Sequence, residues 1–137
     1  MATPRGLRNN NPLNIEKTKG GKPWQGEIVP SADSRFAQFK SMAYGYRAAF
    51  KLLDNYQRNY GLSTIREMIT RWAPPKEKAN NTQAYIKAVS ERSGTPPDVH
   101  ITTRNRAVML PIVAAMSAVG NRTRADMPAL QARGQPF

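Results

Sequence analysis

Residues 41–60 read Ser-Met-Ala-Tyr-Gly-Tyr-Arg-Ala-Ala-Phe-Lys-Leu-Leu-Asp-Asn-Tyr-Gln-Arg-Asn-Tyr, and this stretch constrains the fold more than any other. Tyr46, Ala49, Phe50, Leu53, Tyr56 and Tyr60 recur at three- and four-residue steps, which puts them on one face of a helix. Ala48 and Leu52 widen that face beyond a narrow stripe, as in a helix that forms the middle of a small core. The Ser41 hydroxyl is placed to cap the first turn, and Gly61 follows where a left-handed exit is needed. On this helix Asp54 falls among the positions expected to face water.

The rest of the chain divides around it. Before residue 41, Leu13 and Ile15 alternate, and residues 24–29 and 35–39 are short strand candidates separated by glycine- and proline-bearing turns. Asn9, Asn10 and Asn11 precede Pro12, which disfavours helix there and biases Asn11 to extended backbone. After Gly61, Thr64 and Glu67 have capping-box spacing, and Ile65, Met68, Ile69 and Trp72 follow at i, i+3, i+4 and i+7. Pro74 and Pro75 end that helix. Asn80 or Asn81 caps a third helix carrying Tyr85, Ile86 and Val89, which Gly94 closes. Thr102 or Thr103 opens a fourth, running to about Val119, in which Pro111 marks a kink or a break. The expected class is α+β, mostly α: one domain over 1–120 with a small N-terminal antiparallel hairpin region and about four helices. Residues 121–137 are expected to be loosely packed or to lie against a partner.

Composition narrows the chemistry. With 137 residues, the chain suffices for one sizeable core. It contains no cysteine, which removes disulfides and thiolate chemistry, and the single His100 removes a histidine-rich metal site. No metal or other cofactor is expected. No run approaches a membrane span, and Met1 is not followed by a secretory leader pattern. Lys and Arg number 21 against 9 Asp and Glu, a net charge of +12. Such a surface seeks a polyanion: nucleic acid, anionic lipid or an acidic cell-wall polymer. The basic residues are spread along the chain, which weakens a dedicated nucleic-acid reading.

Few residues remain for catalysis. Glu67 is used as a cap and Glu91 is expected to be solvated. Glu27, Asp33 and Glu77 lie beside turns and tryptophans, where lost water raises a carboxyl pKa and suits it to general-acid work. For each, a surface or turn-bonding role is the favoured reading. No serine-nucleophile or phosphate-loop pattern is present. Trp24, Phe36, Phe39, Trp72 and Tyr85 near asparagine-rich loops suit sugar rings, and suit nucleobases as well. For Trp72 alone, core packing is the favoured reading.

Several runs carry a resemblance. They are Arg5-Gly6-Leu7-Arg8-Asn9-Asn10-Asn11-Pro12-Leu13-Asn14-Ile15, Trp24-Gln25-Gly26, Arg35-Phe36-Ala37-Gln38-Phe39, Gly45-Tyr46-Arg47-Ala48, Arg71-Trp72-Ala73-Pro74-Pro75 and Thr82-Gln83-Ala84-Tyr85-Ile86. Together, over about residues 5–120, they resemble a family of small phage and prophage proteins of lysozyme-like, peptidoglycan-degrading character. A weaker likeness, from Asn11 through Phe36 and Phe39 to Tyr46, is to the stretch after the catalytic glutamate of flagellar-type glucosaminidases.

The resemblance implies a lysozyme-like fold, cleavage of peptidoglycan glycan strands and delivery by a virion to the periplasm. It implies substrate contacts from Asn10, Asn11, Asn14, Trp24, Phe39, Trp72 and Tyr85. It also implies a general-acid glutamate at the end of the last helix, where this chain has Gly120. A glycine cannot transfer a proton, so Glu77 and Glu27 are the remaining candidate acids. A non-catalytic virion part that keeps the cleft, with residues 121–137 meeting other virion or tail proteins, stays open beside the enzyme. A nucleic-acid-binding virion protein is the third reading.

Overall fold

A computed structural model describes residues 3–75 and 81–132. It is mostly helical, with a two-stranded antiparallel hairpin near the N-terminus and six helices among the described residues. A short helix α1 (Arg5–Arg8) leads into the asparagine-rich turn. The strands are β1 (Glu27–Ile28) and β2 (Gln38–Phe39), paired with Glu27 opposite Phe39 and Ile28 opposite Gln38. A single bridge between Glu16 and Phe36 extends the layer, and the Ala37 N–H donates to the Ile15 carbonyl at 2.8 Å. All three expected extended segments are therefore engaged, though each is shorter than its sequence pattern.

The long helix α2 (Met42–Tyr60) runs from a Ser41 cap to Gly61, whose φ of 68° is the left-handed exit. Tyr46, Ala49, Phe50, Leu53 and Tyr56 are buried on its inner face. Gly45 allows α2 to rest on the asparagine turn, because a Cβ there would collide with the Asn10 carbonyl. Helix α3 (Ile65–Trp72) has both halves of the Thr64/Glu67 capping box. Backbone N–H groups of Ser63 and Thr64 on the Glu67 carboxylate, the former the stronger, hold it below its usual range. Helix α4 (Thr82–Ser93) is capped by Asn81 and closed by Gly94.

The last part of the chain departs from expectation in three ways. Helix α5 (Arg106–Asn121) starts after Asn105, not at Thr102 or Thr103. Thr103 is withdrawn for another use: its hydroxyl donates to the buried Asp54 carboxylate at 2.8 Å. Asp54 is accordingly not solvated; its side chain is 3% exposed and also meets Arg58 and Arg104. Pro111 does not break α5. Pro111 and Ala107 both lie on the exposed side, so the carbonyl that loses its partner is left to water.

Residues 127–132 correct the expectation of a loosely packed end. They form α6 (Met127–Ala132), with Leu130 fully buried in the common core. The Tyr46 hydroxyl pairs with Ser117 at 2.8 Å and accepts from the Asp126 N–H at 3.1 Å, which fastens α6 to α2 and α5. Burial raises the pKa of this Tyr46 phenol. No helix among the described residues is long and apolar enough to cross a membrane.

Candidate functional site

Where the hairpin layer meets the helices, a hollow of about 850 Å³ opens. One wall comes from residues 13–16 and 35–36, the floor from Leu52, Asn55 and Tyr56 of α2, and the far wall from residues 71–74, Tyr85 and Gly120. The carbonyl of Leu13 takes the Trp72 indole N–H at 2.8 Å, a bond that fixes the ring beside Asn14. Trp72 and Tyr85 lie with centroids 5.8 Å apart at 41°. A Cβ on Gly120 would stand 3.7 Å from the Trp72 ring, at ordinary contact, so the groove has room for a side chain there.

Asn14 is the polar group of this wall. It holds a left-handed backbone with φ of 50°, which few residues other than glycine adopt, asparagine being the most tolerant. Its Oδ1 is buried and has no hydrogen-bond partner among the described residues. A buried, unpaired amide oxygen costs roughly 1–3 kcal/mol. The two features together single out Asn14 among the residues lining the groove.

Six of the sequence-predicted positions meet in the groove: Asn14, Trp24, Phe36, Trp72, Tyr85 and Gly120. Three others support it from behind. Asn11 is fully buried; its amide donates to the carbonyls of Ile15 and Ala37 and accepts from the Ile15 N–H, each at 2.9 Å. Asn10 donates to the Phe39 carbonyl at 3.1 Å, and Phe39 itself is 1% exposed in the core. Asn11 and Phe39 cannot touch a ligand from there. Their residue types suggested sugar contacts because an amide or a ring looks alike to sequence whether it faces backbone or cleft.

The two candidate acids differ. Glu27 does not line the groove. Its carboxylate accepts from the Thr18 hydroxyl at 2.7 Å, the Thr18 N–H at 3.1 Å and the Trp24 N–H at 3.0 Å, which closes the 18–27 loop and sets Trp24 at the rim. Glu77 lies outside the described residues; Pro74, three positions before it, is on the groove wall. Asp33 is a structural hub. Arg5, the Phe36 and Arg35 N–H groups and Asn9 all bind its carboxylate and hold it well below the usual range. Glu16 is the one carboxylate lining the groove among the described residues, and it is paired with Arg35 at 3.0 Å. No group of three or more metal-ligating side chains occurs among the described residues.

Three arginines also line the hollow, and residue patterns did not single them out: Arg5, Arg35 and Arg71. Their places at the head of the Arg-Gly-Leu-Arg, Arg-Phe-Ala-Gln-Phe and Arg-Trp-Ala-Pro-Pro runs were the available signal. The result is a groove with indole and phenol faces, one unpaired amide and a positive lining. It can take a ring with an apolar face, polar edges and an acidic substituent.

No family model matches the chain. Over 93 residues, 67% of its length, it is 46% identical to Protein P5 of Pseudoalteromonas phage PM2. The match takes in 57% of P5, so the chain spans little more than half the length of that phage protein.

Proposed function

We propose that this is a phage-type muralytic protein with a lysozyme-like fold, cleaving the glycan strands of peptidoglycan as a lysozyme or lytic transglycosylase does. The observation that supports this best is the groove in which Trp24, Trp72 and Tyr85 meet the unpaired amide of Asn14. Ring faces suit the C–H face of a hexosamine, and the amide N–H edge of Asn14 can donate to an acetamido carbonyl. The likeness to a phage protein supports a place in a virion, and delivery to the periplasm is part of the proposal. The charge of +12 would hold such a protein on an anionic wall.

The chemistry asks for one carboxylic acid. It protonates the glycosidic oxygen as the C–O bond breaks, and the oxocarbenium-like carbon is captured by water or by a sugar hydroxyl. Glu77 is the favoured acid in this reading, since the Glu27 carboxylate is occupied in closing its loop. Incubation of purified sacculi with the protein, with mass spectrometry of the soluble products, tests the reading. Muropeptides should be released, and Glu77→Gln should lower the rate by about 100-fold or more. No release by the parent protein would end the enzymatic reading.

Gly120 favours a second reading, a non-catalytic wall-binding virion part. It lies in the groove beside Trp72, at the position where the resemblance expects the acid. In that case the parent binds sacculi without cutting them, and Gly120→Glu creates release. The third reading, a nucleic-acid binder, predicts affinity that falls steeply with salt. Contacts with other virion or tail proteins belong, in this reading, to residues 121–137.

A further inference from the structure

The three groove arginines are not equivalent. Arg5 makes two bonds to Asp33, at 2.8 and 2.7 Å, and Arg35 is held on Glu16. Both guanidinium groups also lie over Phe36, at 4.7 and 5.0 Å. Their charge is answered within the fold. Arg71 is different: among the described residues it has no carboxylate partner. Its guanidinium lies 3.8 Å from the ring centroid of Tyr60 and 5.4 Å from that of Tyr56. Tyr60 is 54% exposed, one of the few large exposed hydrophobic side chains, and the stacking accounts for it. A guanidinium stacked on an aromatic face keeps its N–H edges free for a planar anion. Burial pushes the Tyr56 phenol up to about 12, against the pull of Arg71, so near neutral pH no phenolate answers the Arg71 charge.

We propose that Arg71, braced on Tyr60 and Tyr56, is the anion-reading position of the groove, taking a carboxylate of the acidic peptide stem beside the sugars. The inference rests on the peptidoglycan reading of the groove. Arg71 immediately precedes Trp72, the ring fixed beside Asn14, so sugar platform and cation are set by one turn of α3. A glycan without acidic arms, such as chitin, would fill the ring sites and leave Arg71 unused. The position would thus distinguish peptidoglycan from neutral N-acetylated glycans. It is a specificity residue and has no part in proton transfer.

Calorimetric titration with three soluble probes tests this: a disaccharide muropeptide with free carboxylates, the same compound with its carboxyls amidated, and chitotetraose. The parent protein should bind the free-carboxylate probe most tightly. Arg71→Gln should weaken that probe about tenfold, the scale of one charge-assisted contact. It should leave the amidated probe and chitotetraose unchanged, which also reports an intact fold. Equal weakening of all three probes would make Arg71 a packing element of the wall and overturn the proposal. So would a parent protein indifferent to amidation. A parent that binds none of the three removes the peptidoglycan reading and this inference with it.

Discussion

Between Asn9 and Phe39 the chain buries few apolar side chains, chiefly Leu13, Ile15, Ala37 and Phe39, and its paired strands are two residues long. From Met42 onward, apolar faces of α2 to α6 close on one another around Phe50, Leu53, Met68, Ile112 and Met116. The first region is held by side chains bonding to backbone: Asn11 to residues 15 and 37, Asp33 to residues 35 and 36, Glu27 to residues 18 and 24. The second is held by burial of apolar surface. The groove lies where they meet. A polar scaffold fixes loops in geometries that regular ladders cannot supply, and the helices behind it give those loops a rigid backing. The left-handed Asn14 and the rim position of Trp24 are both products of the polar half.

That contrast can be broken by substitution. Phe50→Ala, in the apolar half, should cost about 4 kcal/mol in urea unfolding, the usual cost of emptying an aromatic site. Asn11→Ala should cost about 3 kcal/mol, nearly as much for a much smaller side chain, because two carbonyls and an N–H lose their buried partner. A loss below 1 kcal/mol would show that the polar region is not held by its amides. Asp33→Asn sharpens the point through pH. The folded pKa of Asp33 lies below the unfolded value, so its contribution is fully present above about pH 4 and is lost as pH falls through the acid range. Thermal melts from pH 7 to pH 2 should therefore show a flatter acid decline in Asp33→Asn than in the parent, starting from a lower melting temperature. The smallest effect is expected at Gly120. Gly120→Ala should raise stability by about 0.5 kcal/mol, since the helical backbone accepts a Cβ and the Trp72 ring is at contact distance.

The same division decides what could be read from the sequence. In the apolar half, periodicity and caps located α2, α3 and α4 to within a residue or two: Ser41, Gly61, Thr64, Glu67, Asn81 and Gly94 all serve as their types suggest. Helical spacing also placed Asp54 on a wet face, and there tertiary structure prevailed. Thr103 and Arg104, about fifty positions away, cover it, and no local pattern encodes that. Helix α6 was missed because one buried side chain, Leu130, fastens it and leaves no repeating stripe. In the polar half, the asparagine run was visible but its division of labour was not. Asn11 faces backbone and Asn14 faces the groove, a distinction set by φ at Asn14 and by the partners of Asn11. Trp72 taken alone reads as a core residue; its place on the groove wall comes with its bond to the Leu13 carbonyl, 59 positions away, which no local pattern encodes. The arginines were not legible as groove residues, because a chain with 21 basic residues offers no reason to prefer three of them.

Trp24 and Trp72 are the only tryptophans of the chain, and both line the hollow, Trp24 also bordering the smaller hollow beside Lys22 and Arg47, so intrinsic fluorescence reports on the groove chiefly through Trp72. Titration with a soluble disaccharide muropeptide is the most direct test that this hollow holds peptidoglycan sugars. The account predicts a saturable change in emission that Asn14→Ala weakens. Unchanged emission in the presence of calorimetrically verified binding would place the ligand elsewhere on the molecule and contradict it.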